Sequence, residues 1–186
     1  MAEEVKSKDL ATQLQKKILT KMASKKLSKL LIDDQTSCIL DELYNIVKDN
    51  ESKKKANKVL KDLIKIIIKI AILQRNDKFN DEEAKTAKLL QAKTKLTALT
   101  VISFCEVEHS YDSLFLSKHI TEMRGYVHKL VECHLKGKSK ESINTVFNLL
   151  GDTDFLDKLF KPDGAYNTQF QSIYSNIKEL VDTGVL

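Results

Sequence analysis

A chain of 186 residues suits one domain, and five glycines, one proline and no tryptophan, beside plentiful Leu, Ile, Lys and Glu, favour an all-α fold over strands. No run reaches the roughly 18 apolar residues of a membrane span, and the start, MAEEVKSKDL, lacks an apolar signal core, so a cytoplasmic protein is expected. The net charge of +5 sits at one end: the first 30 residues hold eight lysines against three acids, and the remainder is neutral, which suits an anionic partner such as lipid head groups or nucleic acid.

The first segment, Leu10 to about Leu31, sets Leu10, Leu14, Ile18 and Met22 four apart on one helical face, with Lys17, Lys21 and Lys25 in the same arc. Lysine stems lie along apolar surface while their ammonium groups reach outward, so this mixed face fits the boundary between a greasy site and a charged one. A solvated N-terminal helix is the alternative. A second helix is predicted from an N-cap at Thr36 or Ser37, through Ile39, Leu43, Ile46 and Val47, to Asp49-Asn50.

The third element, about Lys53 to Asn76, contains KDLIKIIIKIAIL, whose β-branched run resembles a strand. Lys54, Lys58, Lys61, Lys65 and Lys69 hold one helical stripe but would change face of a strand at Lys61, so the spacing predicts a helix. Most of its remaining circumference is apolar, which makes it the central helix, surrounded by neighbours. Asn80 and Glu83 are spaced as a capping box for a long helix reaching about Glu106, with Ala87, Leu90, Thr94, Ala98, Val101 and Cys105 inward.

A helix from about Ser113 to Leu135 is expected to stop at Gly137, and Ser139 to cap a shorter one that ends at Gly151. A brief helical turn carries Phe155, Leu156, Leu159 and Phe160. KPDG at 161–164 is a turn, and a last helix uses Phe170, Ile173, Ile177 and Leu180 or Val181. The whole reads as one bundle of about six main helices plus a basic arm over 1–30.

Catalytic chemistry is hard to find in this pattern. Gly137-Lys138-Ser139 resembles the tail of a phosphate-binding loop, but the glycine required five residues earlier is Glu132. His109, His119, His128 and His134 lack the spacing of metal ligands on one helix, so no metal is expected. Cys38, Cys105 and Cys133, without a C-x-x-C, are expected to be reduced core thiols. No enzyme and no cofactor are predicted. Lysine far outnumbers arginine, present at Arg75 and Arg124, and no stacking aromatics lie near the arm, which favours lipid phosphates over nucleic acid.

The stretches QLQKKILTKMASK (13–25), LIDDQTSCILDELYNIV (31–47), VLKDLIKIIIKIAILQRNDKF (59–79) and, more loosely, SKESINTVFNLLGDTDFLDKLFKPDG (139–164) resemble the tumour necrosis factor alpha-induced protein 8 family, also called TIPE proteins. The resemblance implies a single TIPE homology domain over 1–186, enclosing an elongated apolar cavity for acyl chains. It further implies non-enzymatic phosphoinositide or phospholipid binding and transfer, in the cytoplasm and peripherally at the plasma membrane, in apoptosis, inflammation or lipid signalling. The family's head-group residues fall on Lys16, Lys17, Lys21 and Arg75. A further family cation falls on the uncharged Gln91, where Lys88 and Lys95, about one turn either side, are candidates to compensate.

Leu63, Ile67 and Ile70, facing away from the lysine stripe, are proposed cavity lining, with ordinary core packing as the alternative. The rival functional reading is a cytosolic signalling adaptor acting through protein contacts; a third is a helical nucleic-acid module whose affinity collapses with salt.

Overall fold

A computed structural model describes residues 6–21, 32–107, 109–134 and 137–186. Those residues form eight helices: α1 (Ser7–Lys21), α2 (Asp34–Asn50), α3 (Lys53–Arg75), α4 (Asp81–Glu106), α5 (Ser113–Val131), α6 (Gly137–Leu150), α7 (Thr153–Phe160) and α8 (Asn167–Asp182). Short polar side chains start most of them. Asp33, Ser52, Asn80, Asp112 and Asp152 each accept a hydrogen bond from the backbone N–H three residues on, a cap that stabilises a helix by about 1 kcal/mol. The Asn80–Glu83 capping box forms as predicted.

Three boundaries differ from the sequence expectation. The N-cap of α2 is Asp33, whose carboxylate accepts from the N–H of Thr36 at 2.6 Å, so Thr36 is the donor within the first turn and the helix starts earlier. Helix α5 ends at Val131, where the N–H of His134 folds back onto the Val131 carbonyl at 3.1 Å. Gly137 then opens α6 and does not terminate α5, and α6 starts two residues before Ser139. The predicted extension of the first helix beyond Lys21 lies outside the described residues.

The main helices pack in a closed order: α2 on α3, α3 on α6, α6 on α5, α5 on α4, α4 on α8, and α8 back on α2. Helix α1 lies outside this ring against α3 and α2, held by the Ser7 N–H to Asp41 at 2.7 Å and the Ser7 hydroxyl to the Ser37 carbonyl at 2.9 Å. Its Ala11, Leu14 and Ile18 are buried. Helix α3 therefore has neighbours on three sides, as its apolar circumference requires, but it is a wall of the ring and not its axis.

Helix α7 packs on α5, α6 and α8 and closes one end of the ring. There Phe160 stacks on Tyr111 with centroids 4.5 Å apart and meets Phe104 and Phe170 edge-on. Between ring neighbours, Ile46, Leu60, Ile64, Ile68, Ile72, Leu130 and Ile143 are essentially fully buried. Each such side chain stabilises the fold by about 1.5 to 3 kcal/mol.

Candidate functional site

A groove of about 510 Å³ runs between α1, α3 and the start of α6. Its floor is apolar, from Leu14 and Ile18 of α1 and Ile66 of α3, all buried; its walls carry Lys17 from α1 and Lys61, Lys65 and Lys69 from α3. The hydroxyl residues Ser139 and Ser142 of α6 complete it. Four ammonium groups face one local carboxylate, the buried Asp62, whose Oδ1 accepts from the Lys65 Nζ at 3.4 Å. The Lys69 Nζ donates to the Ser139 hydroxyl at 3.2 Å. A more open depression, lined by Asn57, Lys58 and Glu141, continues the groove past Lys61 and Lys65.

The helical periods explain this convergence. Leu10, Leu14 and Ile18 seat α1 on α3, and Lys17 follows them around the same side, so it meets the lysine stripe of α3 along a shared edge. Sequence reasoning singled out Lys17 but used Lys61, Lys65 and Lys69 only to decide helix against strand, took Ser139 for a helix cap and did not use Ser142. The steps of four and three between these lysines were the available signal; what they lacked was the knowledge that α1 packs beside them.

The other sequence-derived head-group candidates lie elsewhere. Lys16 is exposed on α1; Lys21 is the last residue of that helix. Arg75 is exposed at the last position of α3 and does not line the groove. Lys88, Gln91 and Lys95 are exposed along α4, which neighbours α5 and α8 in the ring, away from α1.

A second feature lies on the opposite side of α3. Leu63, Ile67 and Ile70 pack against the hydrophobic core yet are half-buried, although residues on both flanks of their row are buried: Leu60, Ile64 and Ile68 on one side, Val59 and Ile66 on the other. Half-buried apolar residues also occur on α4, at Ala87, Leu90, Val101 and Cys105, and on α5, at Ile120 and Met123, but without buried residues on both flanks.

The thiols depart from expectation. Cys38 and Cys133 are exposed and Cys105 is half-buried. Cys133 lies in the turn beyond the end of α5, where helical spacing no longer predicts its direction. Burial, with help from Glu106, pushes the Cys105 thiol up to about 11. Of the histidines, His128 Nε2 lies 2.8 Å from Asn144 Oδ1, His134 pairs with Glu83, and His119 is buried with Nδ1 lacking a hydrogen-bond partner. Among the described residues no group of His, Cys, Asp and Glu is arranged to hold a metal ion, and no helix is long and apolar enough to cross a membrane.

A family model described as tumor necrosis factor alpha-induced protein 8-like matches residues 5–184. Tumor necrosis factor alpha-induced protein 8 of Gallus gallus is 41% identical over 179 residues, covering 96% of this chain and 95% of that protein. The Homo sapiens protein of the same name is 40% identical over 177 residues, 95% of this chain and 89% of its own. The tumor necrosis factor alpha-induced protein 8-like protein of Drosophila pseudoobscura pseudoobscura is 40% identical, covering 99% of both chains. Among solved structures, the C-terminal region of G-protein interacting protein 1 from Dictyostelium discoideum superposes with a TM-score of 0.63 at 16% identity, covering 81% of this chain and 93% of that one, a likeness of fold alone. The chain belongs to the tumour necrosis factor alpha-induced protein 8 family.

Proposed function

We propose that this protein binds and transfers phospholipids bearing anionic head groups, phosphoinositides among them, without catalysing a reaction. The observation that carries the reading is the groove in which Lys17, Lys61, Lys65 and Lys69 rim an apolar floor. A lipid is itself an anionic head on an apolar chain, and the groove presents complementary groups to both. The half-buried row Leu63, Ile67 and Ile70 on α3, flanked by buried residues, supports a further element. Side chains flanked by buried neighbours are reached by solvent most simply from the middle of a ring, and in this reading the six helices leave room for acyl chains there.

Magnitudes assign the roles. An acyl chain gains about 0.8 kcal/mol per CH₂ on leaving water, but a chain passing from bilayer to apolar cavity exchanges one apolar medium for another, so that gain nearly cancels. The head group then decides. Each lysine near an anionic surface contributes about 1 kcal/mol, so reversing two groove lysines should weaken membrane engagement at least tenfold. Peripheral docking on a membrane follows from this reading, since the chain must be collected from a bilayer.

The test is sedimentation of Lys17→Glu/Lys65→Glu with phosphoinositide-containing vesicles, beside mass spectrometry of organic extracts of the purified wild-type protein. Reduced sedimentation and a copurifying phospholipid are the expected results. Wild-type sedimentation by the double variant, together with a lipid-free extract, rejects the proposal.

A further inference from the structure

We infer that the outer face of α4 is a docking seam for an acidic amphipathic helix of a partner protein. Leu89, Leu96 and Leu99 remain 53%, 48% and 43% exposed. Together with the exposed Ala92 and Ser103 they recur at alternating steps of three and four, the spacing of a two-helix seam. The row covers about four helical turns. The helix does not need these leucines for its own fold, because its inward residues Leu90, Val101 and Cys105 already pack on the core.

Charge defines the occupant. No acidic residue occurs between Glu83 and Glu106. Lys85 pairs with Glu82, and Lys93 pairs with Glu122 of α5, which leaves the exposed Lys88 and Lys95 beside the leucine row, seven residues apart and on the same flank. A second copy of this chain would set lysines against lysines along the seam. A bilayer is met best by a broad apolar face with bulky anchors, whereas this row is one side chain wide. A helix with leucines at its own seam positions and glutamates on the flanks satisfies both the apolar row and the two ammonium groups.

The test uses fluorescence anisotropy with two synthetic three-heptad peptides, Leu at the seam positions and either Glu or Lys at the flanks. Wild-type protein should bind the Glu peptide at least tenfold more tightly. Leu96→Gln should abolish that binding with an unchanged thermal melt, and Lys88→Glu/Lys95→Glu should reverse the peptide preference. Equal affinity for both peptides, or full binding by Leu96→Gln, overturns the inference. So does a concentration-dependent dimer in sedimentation velocity that Leu96→Gln removes, since the seam would then serve self-association. Loss of binding to phosphatidylserine vesicles by Leu96→Gln with intact peptide affinity would instead make the leucines a membrane contact, and would equally overturn it. Lys17→Glu/Lys65→Glu should bind the Glu peptide normally, so failure of the lipid reading and failure of this one are told apart.

Discussion

His134 Nε2 lies 3.0 Å from Glu83 Oε1, while the other oxygen of the same carboxylate accepts the Asn80 N–H at 2.9 Å. One side chain thus closes the capping box of α4 and holds the turn after α5, and Phe79 packs edge-on against the His134 ring, 6.0 Å between centroids. Burial alone would raise the Glu83 carboxyl, but the Asn80 N–H and His134 outweigh it and hold it below its ordinary 4.5. A carboxylate depressed in the folded state contributes stability present above its ordinary value and lost as pH falls through the folded one.

Glu83→Gln should therefore cost about 1 kcal/mol at neutral pH, by removing a charged acceptor while keeping the shape. Urea titrations between pH 7 and pH 3 should show the wild-type advantage shrinking on the acid side of 4.5. A difference that stays constant across that range would show that Glu83 acts through packing alone.

Ile64 and Ile67 are neighbours on α3 with opposite predicted sensitivities. Ile64 is fully buried against a ring neighbour, so Ile64→Ala should cost about 2 to 5 kcal/mol. Ile67 is half-buried on the row proposed to line the centre. Ile67→Trp in a packed core would cost about 1 to 3 kcal/mol from overpacking; with open space at the centre it should leave the melting temperature nearly unchanged and lower the phospholipid recovered with the protein. A Trp variant that melts much earlier than wild type shows the centre to be filled by side chains.

The helix count and order were legible because periodicity survives in sequence: the lysine steps in KDLIKIIIKIAIL decide helix against strand without any tertiary information. Local chemistry also carried the Asn80–Glu83 box. Signals that depend on what packs next to what were not legible. Lys61, Lys65 and Lys69 become the wall of a groove because α1 lies beside them, and no spacing within α3 contains that fact. Gly137 suits either end of a helix, and the fold-back of His134 onto Val131 decided which. Whether Leu63, Ile67 and Ile70 meet solid core or open space is a property of the ring, which an apolar row expresses identically in both cases.

The three cysteines should separate by rate with a thiol reagent such as dithiobisnitrobenzoate at pH 8. Cys38 and Cys133 are exposed and should react within the first phase, giving two fast equivalents. Cys105, half-buried and raised to about 11, holds on the order of a hundredfold less thiolate than an ordinary thiol and should follow much later. Denaturant should merge the phases. Three fast equivalents in the native protein would mean that α4 is not seated as described.

The aromatic stopper formed by Tyr111 and Phe160 has its own titration signature. The Tyr111 hydroxyl donates to Asp157 Oδ1 at 2.8 Å while its ring stacks on Phe160 at an interplanar angle of 16°. Burial first, and then the Asp157 carboxylate, drive the phenol well above its ordinary value of 10. Followed at 295 nm, Tyr111 should ionise latest, after Tyr174, which its hydrogen bond to Glu106 also raises, and Phe160→Ala should return Tyr111 toward 10 by admitting water to the ring face. Because a raised phenol stabilises the fold below its ordinary value and loses that contribution as pH rises through the folded one, the wild type should lose this contribution only in strongly alkaline solution, above 10. Phe160→Ala removes packing as well, about 3 kcal/mol, so its melt should fall at every pH while the late phenol vanishes. An unchanged late phenol in that variant would show that Asp157, and not the stacked ring, sets the environment of Tyr111.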